Sequence, residues 1–216
     1  MAKPRIAVAA LVSATLTLGV WLAGPVLIQA QPDPLEPLIY TIRFPQPASR
    51  SFTVDVVVPT QKRESVDLMM AIWSPGFYGL QNYADRVSSF TATAPDGTAL
   101  EVSKPTPSRW TVKTGGRPTF TISYAVAAPR GSNLSNGTTE TSAVIIGPAT
   151  YITLVENAHR PAEVRLDLPA GWVGSMTSLD ASSDGKPNHY VAPNYDILAD
   201  SPILTGSDLS DRKSVV

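Results

Sequence analysis

Cysteine is absent from this 216-residue sequence, and histidine occurs only twice. Without cysteine the chain can form no disulfide bond, no thiolate nucleophile and no cysteine-ligated metal site. A hydrolytic zinc site of the H-E-x-x-H type needs two histidines one helical turn apart, whereas His159 and His189 are thirty residues apart. We therefore predict no catalytic residue and no metal ligand in this chain. We expect both histidines to lie in loops or at strand ends.

A serine hydrolase that used either histidine is the remaining enzymatic alternative. Such a site would need a buried acid–base pair and a nucleophile on a sharp turn before a helix, and the sequence displays neither. The prediction is that the chain as given is not an enzyme.

The charge balance is nearly neutral, with 17 lysines and arginines against 18 aspartates and glutamates. Binding to nucleic acid or to an anionic membrane depends on an excess of positive charge. The composition therefore argues against a nucleic-acid partner. A membrane contact is expected only if the N-terminal segment is retained.

Residues 1–30 have the layout of a secretory signal peptide. Lys3 and Arg5 provide a positive start, a long apolar run extends from Ile6 to Ile28, and Ala30 is a small residue at the cleavage position. The alternative is an uncleaved membrane anchor, because the apolar run is long enough to span a bilayer. In both cases we expect an exported protein, periplasmic or extracellular, and membrane-anchored in the second case.

After the leader, the dominant signal is alternation of apolar and polar side chains, which is the period of a half-buried strand. Within Pro118–Ala127, the residues Phe120, Ile122, Tyr124 and Val126 fall on one face. The same pattern occurs at Phe52, Val54, Val56 and Val58, and at Val164, Leu166 and Leu168. Shorter strand candidates are Leu38–Phe44, Val66–Trp73, Val87–Thr93, Arg109–Lys113, Ala143–Gly147, Tyr151–Glu156, Trp172–Thr177 and His189–Ala192.

No segment after the leader has a convincing apolar stripe of helical period, and Leu80–Arg86 is the best helical candidate. Short sequences typical of turns separate the strand candidates. They are Pro95-Asp96-Gly97, Gly115-Gly116, Asn136-Gly137 and Asp184-Gly185. Many short strands separated by turns predict an all-β fold, either an antiparallel β-sandwich or a saddle-like sheet domain. The polar stretch Arg130–Glu140 is predicted to be a long flexible loop.

An aromatic segment around Pro75-Gly76 departs from this succession of short strands and turns. Trp73, Phe77, Tyr78 and Tyr83 lie within eleven residues. On composition alone we favour a structural role, in which Trp73 ends a core strand and Phe77 and Tyr78 plug the base of a sandwich. The functional alternative is a rim of amphipathic rings that faces a groove or a partner domain.

Four sequence blocks resemble the N-terminal domain of the glycyl aminopeptidase family of zinc metallopeptidases (peptidase family M61). They are Trp73–Tyr78 followed by Tyr83-Ala84, Pro193–Ile203 followed by Gly206, Tyr124–Val126, and Leu168–Trp172. Together they span most of the chain after the leader. Gln81 and Asp85 depart from the pattern, because the family often has basic residues there, and Arg86 is the nearby residue that could replace that charge.

The resemblance implies a non-catalytic β domain at residues 31–206 that supports and shapes the substrate cleft of a catalytic domain. Zinc is expected in that catalytic domain, and no cofactor is expected in the chain itself. The expected partners are the catalytic domain and, in the full-length protein, a peptide substrate. Trp73, Tyr78, Tyr83 and Arg86 are the substrate-cleft candidates.

Residues 207–216 are predicted to be a non-native or disordered tail. Asp211–Val216 resemble the translated read-through of a widely used sequencing adapter, and the hypothesis is a truncated gene sequence. The alternative function is a standalone exported β-sandwich module that binds a peptide, a glycan or an envelope partner.

Overall fold

A computed structural model describes residues 35–132, 134–156 and 159–209. The predicted leader and the last seven residues of the predicted tail lie outside these ranges. Within them, strands are the dominant regular structure. The strands are β1 (Leu38–Arg43), β2 (Ser51–Pro59), β3 (Ser65–Met70), β4 (Val87–Thr93), β5 (Val102–Thr106), β6 (Arg109–Lys113), β7 (Thr119–Ala127), β8 (Pro129–Ser132), β9 (Ser135–Thr138), β10 (Ser142–Ile145), β11 (Ile152–Leu154), β12 (Ala162–Asp167), β13 (Gly174–Thr177), β14 (Asp180–Ala181), β15 (His189–Ala192) and β16 (Ile203–Gly206).

The helical elements are short. Among the described residues, one α-helix, α1, covers Tyr195–Ala199, and 3-10 turns cover Pro47–Ser49, Tyr83–Arg86 and Gly147–Ala149. The predicted helical segment Leu80–Arg86 is therefore a single 3-10 turn at its C-terminal end. No helix among the described residues is long and apolar enough to cross a membrane.

The strands form three mostly antiparallel sheets, which confirms the all-β prediction. The largest has seven strands in the order β14-β15-β12-β1-β2-β7-β4. Strands β1 and β12 pair in parallel, from Leu38 beside Ala162 to Arg43 beside Asp167, while the other pairings in this sheet are antiparallel.

The predicted alternation places one face of this sheet in the core. Val54 of β2 lies opposite Tyr124 of β7, and Val56 lies opposite Ile122. All four side chains are buried. Burial of a large apolar side chain stabilises the fold by about 1.5–3 kcal/mol. The opposite face is polar, and Arg43 there pairs with Asp167 (2.8 Å) and Asp55.

The four-stranded sheet, β11-β3-β6-β5, packs its apolar side chains into the same hydrophobic cluster. The Tyr40 hydroxyl of β1 donates to the carbonyl of Ile152 at 3.0 Å. Phe90 of β4 stacks on Trp110 of β6, with centroids 5.2 Å apart and planes 9° apart. These contacts join the four-stranded sheet to the seven-stranded sheet.

The five-stranded sheet has the order β13-β16-β10-β9-β8, and it corrects one prediction. The stretch Arg130–Glu140, predicted to be a flexible loop, contains most of the β8–β9 pair, and the predicted turn Asn136-Gly137 lies inside β9. The reason is a set of hydrogen bonds between this stretch and a later segment of the chain. The fully buried Asn136 accepts from the Ile146 amide (2.7 Å) and donates to the Ala149 carbonyl (2.8 Å).

Helix α1 has no counterpart among the predicted helices. The Asn194 side chain accepts from the Ile197 amide at 2.9 Å, which caps the first turn of the helix. Five residues are too few to display a helical period, so the apolar pattern could not indicate this helix.

Candidate functional site

The aromatic segment is an ordered loop between β3 and the Tyr83–Arg86 turn. Its base is closed by a hydrogen bond from the Gln81 amide to the Ile72 carbonyl (2.9 Å). Inside it, Ser74 and Phe77 form an isolated antiparallel bridge, with the Phe77 amide 3.1 Å from the Ser74 carbonyl. Gly76 has φ of 71°, a left-handed backbone that suits glycine. The Pro-Gly pair therefore forms a tight turn with a defined geometry.

Trp73 anchors this loop to the rest of the domain. Its ring meets the ring of Tyr195 edge to face, with centroids 6.5 Å apart. Tyr195 is buried and its hydroxyl lies 3.4 Å from the Tyr151 carbonyl. Tyr151 in turn packs edge to face on Tyr40 at 4.9 Å. Burial raises the pKa of Tyr40, Tyr151 and Tyr195, so these hydroxyls stay neutral and act as structural groups.

The tip of the loop presents apolar side chains to solvent. Tyr78 is fully exposed, Leu80 is 82% exposed, and Ile72, Trp73 and Phe77 are each exposed by 38% to 44%. We call these five residues the apolar loop patch. The patch contradicts the favoured interpretation of Phe77 and Tyr78 as plugs at the base of a sandwich. The exposure is consistent with the functional alternative, a rim of rings on the surface.

Tyr83 and Arg86 lie differently from the loop tip. Tyr83 is only 2% exposed and belongs to the hydrophobic core, so its ring does not face a cleft in the described chain. Arg86 is partly buried. The Tyr83 hydroxyl and the Arg86 Nη1 are buried and have no hydrogen-bond partner among the described residues. Of the three aromatic cleft candidates, Trp73 and Tyr78 present their rings at the surface and Tyr83 does not.

A surface cavity of about 350 Å³ adjoins the loop. Ile72 and Ala84 provide apolar walls, Asp85 is charged, and the turn Thr106–Ser108 between β5 and β6 closes the other side. The contribution of this turn to the cavity was not predicted, because the turn is distant from the aromatic loop along the chain. The cavity could accept a small, partly apolar group beside a carboxylate.

The two histidines have different environments. His159 is exposed in a turn, whereas His189 begins β15 and is buried. The His189 Nδ1 lies 2.8 Å from the Asp184 carboxylate, and its Nε2 lies 3.0 Å from the Glu163 carboxylate. Hydrogen bonds from the Lys186 amide and the His189 ring lower the pKa of Asp184. The His189 ring thus has acidic partners that were not predicted from the sequence. Both of its nitrogens are hydrogen-bonded to carboxylates, and no serine or threonine hydroxyl is bonded to it, as a serine hydrolase would require.

Within the described ranges, no group of three or more histidine, aspartate or glutamate side chains is arranged to hold a metal ion. The arrangement of the loop, the anchoring ring of Trp73 and the adjoining cavity is suited to contact with a partner surface or a ligand. No catalytic constellation is present among these contacts.

Comparison with known families agrees with the resemblance seen in the sequence. Residues 39–207 match the family described as the Peptidase M61 N-terminal domain, and the chain belongs to this family. No curated protein matches the chain. The matched region includes the apolar loop patch, helix α1 and all three sheets.

The fold of this chain is similar to that of a solved aminopeptidase-family structure. An aminopeptidase N family protein from Idiomarina loihiensis superposes with a TM-score of 0.71 and 23% identity, over 78% of this chain and 29% of that chain. An M1 zinc metallopeptidase from Deinococcus radiodurans, bound to a Tyr-Ser-Ala substrate, gives a TM-score of 0.47 and 15% identity, over 80% and 42%. The chain thus spans less than half the length of either structure.

Proposed function

We propose that this chain is the non-catalytic N-terminal domain of an exported zinc metallo-aminopeptidase, and that it supports and shapes the substrate cleft of a separate catalytic domain. The chain's membership of the M61 N-terminal family supports the peptidase assignment. Export is supported by the positive start and the apolar run of residues 1–30. Zinc and the catalytic groups would belong to the catalytic domain.

The apolar loop patch is the observation that carries the cleft assignment. Contiguous exposed apolar surface rimmed by polar residues marks an interaction site more often than a free surface. Aromatic rings are enriched in such sites, because they bury a large area with little loss of side-chain freedom. The Gln81–Ile72 hydrogen bond and the Trp73–Tyr195 contact hold the backbone in place. A partner would therefore meet a preformed surface.

Within this proposal the four candidates have separate roles. Tyr78, which is fully exposed, would contact the peptide or the catalytic domain directly. Trp73 would contribute the exposed part of its ring and would hold the loop against α1. Tyr83 would support the loop from the core, and Arg86 would lie at the edge between the loop and β4.

Long-read sequencing of the genomic locus beyond the codon for Leu209 is the first experiment. A reading frame that continues into an H-E-x-x-H motif with a downstream glutamate ligand would support the peptidase proposal. A verified stop codon at Val216 would contradict it and would favour a free-standing module.

The second experiment tests the loop in the protein encoded by that longer frame. The variant Tyr78→Ala is expected to raise the KM for peptide substrates several-fold while zinc content is unchanged. Val173→Ala is the matched control, because Val173 is also an exposed apolar residue but lies next to β13 in the five-stranded sheet. An unchanged KM for Tyr78→Ala, or an equal change for the control, would remove the cleft role.

A second candidate function, a standalone binding module, has one observation in its favour. A groove of about 650 Å³ lies between the Pro47–Ser49 turn and strands β8 to β10. Hydroxyl groups line it together with Arg50 and Glu140, and such a mixture suits a peptide or a glycan. Binding of a peptide or glycan library to the isolated chain, lost on substitution of Arg50, would favour this function over the cleft role.

A further inference from the structure

The buried ring of His189 lies between carboxylates from two parts of the chain. His189 begins β15, on the face of the seven-stranded sheet that carries the charged side chains of β12. Its Nδ1 is 2.8 Å from the carboxylate of Asp184, in the turn between β14 and β15. Its Nε2 is 3.0 Å from the carboxylate of Glu163, on β12. The ring therefore bridges the turn of the β14–β15 hairpin and the neighbouring strand.

Arg165 competes with Glu163 for the same ring nitrogen. Arg165 is the cross-strand partner of His189, and its Nε is 3.3 Å from the His189 Nε2. Its Nη2 pairs with Glu163 at 2.8 Å. A guanidinium only donates and a carboxylate only accepts, so Nε2 cannot bond to both groups in one protonation state. A protonated Nε2 donates to Glu163, and an unprotonated Nε2 accepts from Arg165.

The number of protons on the ring thus decides how many carboxylates it holds. A neutral imidazole carries one proton, and a charged imidazolium carries a proton on each nitrogen. With one proton, on Nδ1, the ring donates to Asp184 while Glu163 is held by Arg165 alone. With two protons, the ring donates to both carboxylates and places a positive charge between them. Charge-assisted hydrogen bonds of this kind are stronger than neutral ones.

The ion pairs around this face contain more acidic than basic groups. Among the described residues, three basic side chains pair with four carboxylates: Arg43, Arg165 and Lys186 with Asp55, Asp167, Glu163 and Asp184. Asp180 of β14 lies in the same cross-strand row as Glu163 and adds a further negative charge. A positive charge on His189 reduces this imbalance.

We propose that His189 is a pH-sensitive switch, whose doubly protonated ring fixes the β14–β15 hairpin to β12. Histidine is the side chain that ordinarily gains a proton between about pH 8 and pH 5. Hydrogen bonds from the Lys186 amide and the His189 ring lower the pKa of Asp184, so this partner stays ionised in that range. The hydrogen bond to Glu163 contributes stability at mildly acidic pH, and the contribution is lost as the pH rises.

The switch acts on a short hairpin at the edge of the sheet. Strands β14 and β15 pair over two residues only, and the Ser182 amide donates to the His189 carbonyl at 2.8 Å beside that pairing. Strand β15 then leads into helix α1, whose Tyr195 contacts Trp73. All of these groups belong to the described chain, so the switch does not depend on a catalytic domain.

Thermal unfolding of the purified chain at about pH 5.5 and about pH 7.5 tests the switch, because the ring changes its proton count between these values. His189→Gln should lower the Tm by about 3 °C more at the acidic pH than at the neutral one. His159→Gln is the matched control, because His159 is exposed in a turn, and its effect should be the same at both pH values.

Glu163→Gln tests the same hydrogen bond from the other side. The amide keeps the size of the side chain but removes the negative charge that faces the protonated ring. Its loss of the Arg165 ion pair acts at both pH values, so the switch is measured by the additional fall of the Tm at the acidic pH. We expect this additional fall to be similar to that of His189→Gln.

Amide hydrogen exchange locates the effect in the hairpin. The protection factor of the Ser182 amide, relative to an unstructured peptide at the same pH, should be several-fold higher at the acidic pH in the unsubstituted chain. It should be the same at both pH values in His189→Gln.

Equal losses of Tm at the two pH values for His189→Gln would overturn the proposal, because they would show a bridge that does not respond to protonation. A pH-dependent loss of the same size in His159→Gln would overturn it as well. If His189→Gln does not fold, Glu163→Gln takes its place, and equal losses at the two pH values would have the same meaning.

Discussion

Trp73 and Tyr195 meet edge to face, with ring centroids 6.5 Å apart and ring planes at 90°. Trp73 belongs to the first sequence block that resembles the M61 N-terminal domain, and Tyr195 belongs to the second. The two blocks are far apart along the chain, and this contact joins the aromatic loop to helix α1. The blocks are therefore parts of one structural unit.

The Trp73–Tyr195 contact predicts an energetic coupling. In a double-mutant cycle with Trp73→Leu and Tyr195→Leu, we expect a coupling of about 0.5–1.5 kcal/mol in the free energy of unfolding, the range measured for aromatic pairs. Urea unfolding of the four proteins gives this number. Strictly additive losses would show that the two rings do not stabilise one another.

Tyr78 and Tyr83 are expected to respond in opposite ways to substitution. Tyr78→Ala should change the free energy of unfolding by less than about 0.5 kcal/mol, because the side chain is fully exposed. Tyr83→Ala should lower it by about 3–5 kcal/mol, because the ring is in the core. Chemical denaturation of both variants tests this. A large loss for Tyr78→Ala would mean that the loop tip packs on the domain.

Asn136 is expected to be essential for the five-stranded sheet. Its buried amide bonds to Ile146, Ala149 and Thr150 at 2.7, 2.8 and 3.0 Å. Asn136→Leu leaves those groups unpaired, and we expect a loss of about 2–4 kcal/mol in the free energy of unfolding. Asn82→Leu is the matched control, because the Asn82 side chain is exposed and forms no cap bond. Comparable losses in the two variants would contradict the role of the Asn136 network.

The regular strands could be predicted from the sequence because one local rule governs them. From Phe52 to Val58, every second side chain is apolar and buried. The same period appears in β7 and β12, where burial follows the sequence pattern residue by residue. Strand β9 could not be predicted this way. Its polar residues are typical of a loop, and only the contacts of Asn136 with a distant segment place them in a sheet.

The candidate site could be predicted only in part, because a local sequence pattern identifies the loop but not how its side chains pack. The run of aromatic residues around Pro75-Gly76 identified the loop, but the exposure of each ring depends on packing. Tyr83 is buried because its turn packs on the core, which no local pattern shows.

The hydrogen bonds of the Asp184 carboxylate with the Lys186 amide and the His189 ring predict a pH-dependent contribution to stability. Hydrogen bonds lower the pKa of Asp184 below its ordinary value of 3.8, so the carboxylate stabilises the folded state above that value. The contribution is lost as the pH falls through the lowered folded-state pKa. Asp184→Asn should therefore destabilise the protein near pH 7 and have little effect at strongly acidic pH.

Urea unfolding at both pH values measures the Asp184 effect. Asp180→Asn is its control, because Asp180 is exposed in β14, next to β15, and its side chain forms no hydrogen bond in the described structure. A loss for Asp184→Asn that is the same at both pH values would show that the charge of Asp184 is not responsible.

Gly147 is expected to tolerate no side chain. A Cβ at this position would lie 2.5 Å from the carbonyl oxygen and 2.6 Å from the Cα of Ala199, both backbone atoms at the end of α1. Gly147→Ala must therefore displace α1, and we expect a loss of about 1–3 kcal/mol, the usual cost of overpacking. Gly174→Ala is the matched control, because the atom nearest to a Cβ at Gly174 would be 3.9 Å away.

If α1 positions Trp73 through Tyr195, Gly147→Ala should also increase quenching of tryptophan fluorescence by acrylamide, and Gly174→Ala should not. Equal stability of the two variants would show that α1 is free to move away from the Gly147–Ala149 turn.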